Sequence, residues 1–506
     1  MSRSHFPLTP GGGGAPWSVD LPDEAWPGKF TAIETALWWY LLTPLAAHAL
    51  PTNASIVPCR DLPIVYPSPP MTPAPNSSSL RLLAAAAAAF CTYFCMYAFR
   101  KPFTAGTFEG RSVFGFDFKA VLVISQLLGY MLSKFIGIKV ISEMRSEYRA
   151  AAILGLILTA EAALVGFAFA PTPLKVVMLF VNGLPLGMVF GLILAYLEGR
   201  RQTEALSAAL CASFIASSGV VKSVGRWLVQ DCGISEFQMP MLTGLMFLPP
   251  LVAAVWVLQA TPPPDAVDHQ LRSQRKAMDR TERRQFLAAY WPGLLLLMFV
   301  YVAITVIRTV RDDFGVEIWR DMGVSQTPSV FAQTETLVAV CVTALNALAI
   351  WIRGNLTAIR VTVALMCGAF TVVAATVLLQ AGGRVSPFVF MTACGVGLYV
   401  PYVAFHTTIF ERLIAAAKRP CNLGFLMYLA DALGYLGYAV VIVLKTTSSS
   451  PTDVLPFFLW TALIVSALSI VALLAAIFYF EKILPGEVQA AAPVEAPPIE
   501  EFAPAE

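Results

Sequence analysis

PMLTGLMFLPPLVAAVWVLQATPPPDAVDHQLRSQRKAMDRTERRQFLAAYWPGLLLLMFVYVAITVIRTV, residues 240–310, reads as two apolar runs, 240–260 and 287–310, held apart by the polar stretch 261–286. Each run has roughly 20 residues, the length an α-helix needs to cross a hydrocarbon layer about 30 Å thick. A helix is required there because lipid offers no partner to an unpaired backbone group. Outward from this stretch the pattern recurs five times on each side. The preceding runs are 80–101, 119–140, 149–170, 174–197 and 204–229; the following ones are 327–352, 359–381, 386–411, 421–444 and 455–480. No other interruption is as long as 261–286, so it divides the membrane part into two sets of six. The expectation is an all-α polytopic membrane protein of twelve transmembrane helices: a bundle over 80–260, a charged linker over 261–286 and a second bundle over 287–481.

Composition agrees. Apolar residues make up 57% of the 506 positions and charged residues only 13%, against about 25% charged in a soluble domain, which could not hide so much apolar surface. Lys plus Arg (34) nearly balances Asp plus Glu (32), so nothing argues for nucleic acid or for an acidic macromolecular partner. The nine cysteines are scattered, mostly inside apolar runs, with no C-x-x-C and no Cys/His cluster at metal spacing. They read as packing residues, and no metal or cofactor is expected. No nucleophile–base pair stands out either, which argues against an enzyme.

Residues 1–79, with GGGG at 11–14 and PSPPMTPAPNSSS at 67–79, cannot bury enough surface to order themselves and are expected to be unstructured. The apolar stretch around 35–50 imitates a signal-peptide core, but Pro44 interrupts it and its basic flank is Lys29 alone. It reads either as a short interfacial helix or as untranslated sequence upstream of a start at Met71. The acidic, Pro/Ala-rich residues 482–506 form a second tail expected to be disordered.

Orientation follows from the basic residues in short loops. The linker carries Arg272, Arg275, Lys276, Arg280, Arg283 and Arg284, whereas 231–239 carries none. The linker should therefore face the cytoplasm, and an even helix count puts both termini there too, in a multi-pass protein of the inner (plasma) membrane. Arg100, Lys101, Arg308 and Arg311 break the rule, because hydropathy places them near outer helix ends. The two halves also repeat each other weakly: runs one and seven end in YAFRKPF and VIRTVRDDFG, and runs four and ten carry NGLPLGMVFG and GVGLYVP. Parallel repeats of this kind enclose a substrate site between halves that rock about it.

Charges inside a membrane are costly, so they should face a cavity or a partner. Lys134, Lys222, Arg226, Arg308, Glu335 and Asp431 lie within runs, and His406 can also titrate. Bases outnumber acids, and an anionic ligand would neutralise the surplus, with Arg offering a planar fork for phosphate or carboxylate. Structural readings stand beside this one. Lys222 could bridge to Asp431 or Glu335, Lys134 could snorkel, Arg308, Arg311, Asp312 and Asp313 could form an outer ion cluster, and His406 could be a packing histidine.

The segments YFCMYAFRKPF (93–103), GYMLSKFIG (129–137), FVNGLPLGM (180–188), FVYV (299–302), GLYVP (397–401) and LGYLGY (433–438) resemble, in order, motifs of the organophosphate:phosphate antiporters of the major facilitator superfamily. The resemblance spans roughly 80–480 and implies a major facilitator fold. It also implies an anion site in which an arginine from each half grips phosphate. By position it assigns the first arginine to Arg100, beside Lys101, the buried lysine to Lys134, and the lining tyrosines to Tyr93, Tyr97, Tyr301, Tyr399 and Tyr435. The chain departs from the pattern where the second arginine is expected, at Ile304; Arg308 lies one turn later and could replace it. A histidine expected in CASFIASSG (211–219) is absent. The resemblance further implies that Arg100 lies beside the central cavity, contrary to hydropathy. The resulting expectation is a monomeric secondary transporter of a small anion, an organophosphate, phosphate or carboxylate metabolite. It would work by alternating access, with phosphate or protons as counter-substrate, and Glu335 or Asp431 as proton carriers if coupling exists. The alternative is a non-transporting membrane sensor or receptor of the same fold.

Overall fold

Each apolar run becomes a helix, as a backbone that must satisfy its own polar groups requires. The computed structural model describes residues 75–197, 203–261, 280–324, 327–348, 352, 354–417, 423–447 and 454–484. Nearly all of the expected tails 1–79 and 482–506, and most of the linker 261–286, lie outside these residues.

Twelve long helices run through the described residues. In the first half these are α1 (Pro75–Met96), α2 (Phe118–Glu143), α3 (Arg149–Phe169), α4 (Thr172–Leu197), α5 (Thr203–Gln230) and α6 (Met239–Gln259). The second half has α7 (Arg280–Asp313), α8 (Ser329–Ala347), α9 (Asn355–Ala381), α10 (Pro387–Ala416), α11 (Leu423–Thr447) and α12 (Val454–Ile483). Ten are long and apolar enough to cross a membrane. The two that fall short are α1, whose apolar part is the shorter stretch Ala84–Phe99, and α5, which carries Lys222, Arg226 and several serines.

Some boundaries differ from the hydropathy spans. The first α-helix ends at Met96, not near 101, and continues as two 3₁₀ turns, Tyr97–Phe99 and Pro102–Ala105. Pro102 lacks the N–H that a continuing helix would use, which suits it to the start of the second turn. The seventh helix runs on to Asp313 because Arg311, Asp312 and Asp313 find partners inside the protein, and a short helix, Gly315–Asp321, follows it. The eighth ends at Ala347, short of 352, and the tenth extends to Ala416 through a single π turn, Phe405–Ile409. A two-stranded hairpin, β1 (Ser112–Val113) with β2 (Phe116–Asp117), leads into α2. Its turn residues Phe114 and Gly115 both have positive φ, 53° and 80°, the geometry that a two-residue hairpin needs to match strand twist.

The interior is an apolar core, and the outer surface is apolar as well. Large apolar side chains such as Trp256, Val340, Trp460 and Phe478 are exposed on the outside, where lipid is their solvent, while charged side chains are gathered inside. Small residues bring helix backbones together. A Cβ placed on Gly183 of α4 would lie 2.3 Å from the Gln126 carbonyl oxygen of α2, and one on Gly397 of α10 would lie 2.8 Å from that of Ala369 on α9. The two glycine-rich segments of the sequence thus mark close helix contacts in each half. Between halves, α5 packs on α8 and α2 on α11. The first contact is close enough that a Cβ on Gly219 would lie 2.4 Å from the Phe331 oxygen, and Ser223 Oγ accepts from the Ala332 amide at 2.9 Å.

Candidate functional site

The 3₁₀ turn after α1 exists because its freed carbonyls have dedicated donors. Asn182 Nδ2 of α4 donates to the Phe99 carbonyl at 3.0 Å and to the Ala160 carbonyl at 3.0 Å. Gln126 Nε2 of α2 donates to the Arg100 carbonyl at 2.8 Å and to Asn182 Oδ1 at 2.7 Å. The result holds Arg100 off the helix axis and turns its side chain toward the seam between the halves.

A cavity of about 160 Å³ occupies that seam. One water centre needs only about 10–15 Å³ of such volume, so a solute of several non-hydrogen atoms fits. Lys101 and Asp312 lie at one end, and the space extends past Leu194 and Leu423 toward the opposite end of the bundle. Arg100 enters from the first half and Arg308 from the second; they are 8% and 7% exposed. Their settings mirror each other. The Arg100 guanidinium lies 3.8 Å from the ring centre of Tyr130 and 5.8 Å from that of Tyr97; the Arg308 guanidinium lies 4.2 Å from Tyr402 and 5.4 Å from Tyr399. Aromatic faces favour a cation through their quadrupole but leave its N–H groups free to donate.

Every buried carboxylate near the seam is already engaged. Asp312 takes Lys101 at 2.6 Å and also Lys222 and Ser218, while Asp313 takes Lys101 at 2.5 Å and Tyr438 at 2.8 Å. Asp431 accepts from Lys134 and from the Tyr301 hydroxyl. Glu335 takes Arg311 at 2.8 Å, and Arg311 also donates to the Met391 carbonyl at 2.8 Å. Among the described residues Arg100 and Arg308 alone of these six interior cations have no carboxylate partner.

Several structural readings of the sequence change here. Lys222 bridges to Asp312, not to Asp431 or Glu335, because the end of α5 faces the end of α7. Lys134 does not snorkel; it crosses the seam from α2 to Asp431 of α11. The proposed cluster at the end of α7 splits: Arg308 faces the cavity, Arg311 turns to α8, and the two aspartates serve Lys101 and Lys222. His406 lines the cavity, with Nδ1 2.9 Å from the Tyr402 carbonyl and Nε2 3.3 Å from the Tyr301 hydroxyl. Tyr93, Tyr97, Tyr399 and Tyr435 also line it, whereas Tyr301 stands behind the wall on Asp431. Arg226 is turned elsewhere, donating to the Ala105 carbonyl at 3.4 Å. Sequence reasoning missed Tyr130, Tyr402, Phe190 and Phe214. Tyr130 precedes Lys134 by four residues and Tyr402 precedes His406 by four, so each shares a helical face with a residue already singled out; that spacing was the available signal.

The end of the bundle beside Lys101 and Asp312 is closed by bonds that join the two halves. Besides those just given, Lys119 bonds to Glu317 at 2.6 Å and to the Thr104 carbonyl at 2.9 Å, and Arg320 pairs with Glu109.

A model of a family of unknown function, DUF5690, matches residues 102–483, well over half of the chain. The chain belongs to the DUF5690 family. No curated protein sequence matches it. In fold it is similar to solved structures of three transporters. A D-xylose-proton symporter has a TM-score of 0.53 at 14% identity, over 81% of this chain and 98% of that one. The nucleoside transporter NupG has 0.51 at 13% identity, over 79% and 99%, and an autoinhibited peptide transporter of the POT family has 0.51 at 13% identity, over 84% and 99%. This DUF5690 chain therefore has the multi-pass, mostly helical fold of major-facilitator type.

Proposed function

We propose that the chain is a secondary transporter that carries a small anion by alternating access. One observation carries this reading: two buried arginines, one from each half, face a shared cavity without a carboxylate to neutralise them. A buried unpaired charge is costly, and an anion bridging both guanidinium groups would remove that cost while joining the halves. Phosphate, an organophosphate or a carboxylate has the required chemistry. Lys134, held by Asp431, tunes the field, and the four cavity-lining tyrosines supply hydroxyl and ring contacts. Arg308 takes the role of the second-half arginine, which keeps the chain close to the organophosphate antiporters despite Ile304. The similarity in fold to three transporters supports transport as the activity.

With the basic linker in the cytoplasm, the ion-paired end faces outward. The conformation is then closed outside, with the cavity extending inward. Both termini lie in the cytoplasm, and one chain forms a complete site, so a monomer suffices in the inner membrane.

The test uses proteoliposomes loaded with phosphate and offered labelled organophosphates, carboxylates and phosphate. Exchange of at least one anion by the native chain, lost in Arg100→Lys, is the expected result. No exchange with any anion, or native exchange by the variant, overturns the reading. Binding without flux would make the same cavity a receptor site.

A further inference from the structure

Glu161 stands outside everything described so far. It lies mid-way along α3, is 5% exposed, and neither carboxyl oxygen has a hydrogen-bond partner. Its pocket is shaped for it. A Cβ on Gly244 of α6 would fall 2.1 Å from Glu161 Oε2 and 3.2 Å from the Phe99 ring. With glycine at that position the carboxyl sits directly against the α6 backbone; any side chain there would have to displace it.

Among the described residues no cation forms an ion pair with it. Helix α6 has no titratable residue along Met239–Gln259. From α4, the Lys175 ammonium is held by the Phe167 and Ala168 carbonyls at 2.6 and 3.1 Å, two turns along α3, and Tyr196 bonds to Gln259. From the 3₁₀ turn, Tyr97 lies edge-on to Tyr93 and beside Arg100. Glu147 and Tyr148, ahead of α3, are exposed at its far end. A buried ionised carboxylate with neither a protein donor nor a counter-ion is costly, whereas the neutral acid is tolerated.

The neighbour on the other side gives this acid a role. Phe99, whose ring borders the same Gly244 position as the Glu161 carboxyl, closes the Tyr97–Phe99 turn and immediately precedes Arg100. The Ala160 carbonyl, one residue from Glu161, shares its donor, Asn182, with the Phe99 carbonyl. A shift of the turn that moves Arg100 must therefore re-shape the Glu161 pocket.

We propose that Glu161 is a proton-binding site linked through this turn to the anion at Arg100, so that the protein couples anion movement to a proton. The proton is taken from water on one side of the membrane and released to water on the other, with no other change of bonding. The coupling rests on the anion-transport reading given above; the proton site does not. Linkage of this kind is reciprocal: an anion that favours one position of the turn favours one protonation state of Glu161, and the converse holds.

The test has two arms. In the first, thermal unfolding of the purified protein is followed against pH without any anion, for the native chain, Glu161→Gln and Glu161→Leu; the leucine variant brings no unpaired donor. Since the folded chain holds a proton that the unfolded chain releases above the ordinary carboxylate range, native stability should fall relative to both variants as pH rises from that range. Parallel profiles overturn the proton site. In the second arm, inorganic phosphate is the probe in proteoliposomes. Glu161→Gln should keep phosphate exchange yet lose accumulation driven by a pH gradient by about tenfold, within the usual range of site–site coupling. Undiminished gradient-driven accumulation overturns the coupling. Absence of phosphate binding by the native chain would count against phosphate as the anion and leave the first arm to decide the proton site.

Discussion

At the scale of single residues the interior divides into charges that hold the protein together and charges that remain available. Arg100 and Arg308 are the available pair, and Arg differs from Lys there in offering a planar fork of donors. Hydrogen bonds to a charged partner contribute about 1.5–3 kcal/mol each, so Arg308→Lys, which keeps the charge and loses the fork, should weaken phosphate binding by about tenfold to a hundredfold. Calorimetric titration checks this, and unchanged affinity would remove Arg308 from the site. Lys134 and Asp431 answer a different question. Asp431→Asn leaves a buried ammonium without its counter-charge, a loss that typically costs about 3–5 kcal/mol. A marked fall in melting temperature is expected, with most of it regained when Lys134→Met is added, since that removes the uncompensated buried charge.

The decisive element is the break after α1. An α-helix running on through Thr104 would take the carbonyls of Phe99 and Arg100 into its own ladder; the break hands them to Asn182 and Gln126 on α4 and α2. Asn182→Leu strips donors from the carbonyls of both Phe99 and Ala160. Each buried acceptor left unsatisfied costs about 1–3 kcal/mol, so the variant should melt at lower temperature and, on the proposed reading, bind phosphate more weakly, although Asn182 is not among the cavity-lining residues. Loss of stability with unchanged binding would show that the turn does not position Arg100. The sequence contained both halves of this device, NG in the fourth run and the Arg-Lys-Pro after the first. Nothing in hydropathy connects them, because the two segments are about eighty residues apart and meet only through the packing of small residues on α2 and α4.

For the whole molecule, the bonds from Lys101, Lys119 and Lys222 to Asp312, Asp313 and Glu317 all join one half to the other at the same end. The alternating access proposed above would require this end to open, so removing its charges should shift the equilibrium between conformations. With spin labels at Ser112→Cys and Arg384→Cys, both exposed at that end, the double variant Asp312→Asn, Asp313→Asn should show a longer distance population absent from the parent. An unchanged distribution would mean that these ion pairs only stabilise the fold.

The sequence by itself determined that the chain is a helical protein crossing a membrane many times, because run length and apolar composition respond to a solvent that is uniform along each helix. It also marked most of the unusual charges, since each is individually out of place in lipid. Only the tertiary structure decided which charges neutralise one another: Lys222 with Asp312, Lys134 with Asp431, Arg311 with Glu335. Pairing depends on distances of a few ångströms between helices far apart in the chain, and a Coulomb interaction across a low-dielectric interior is set by that geometry, not by residue type.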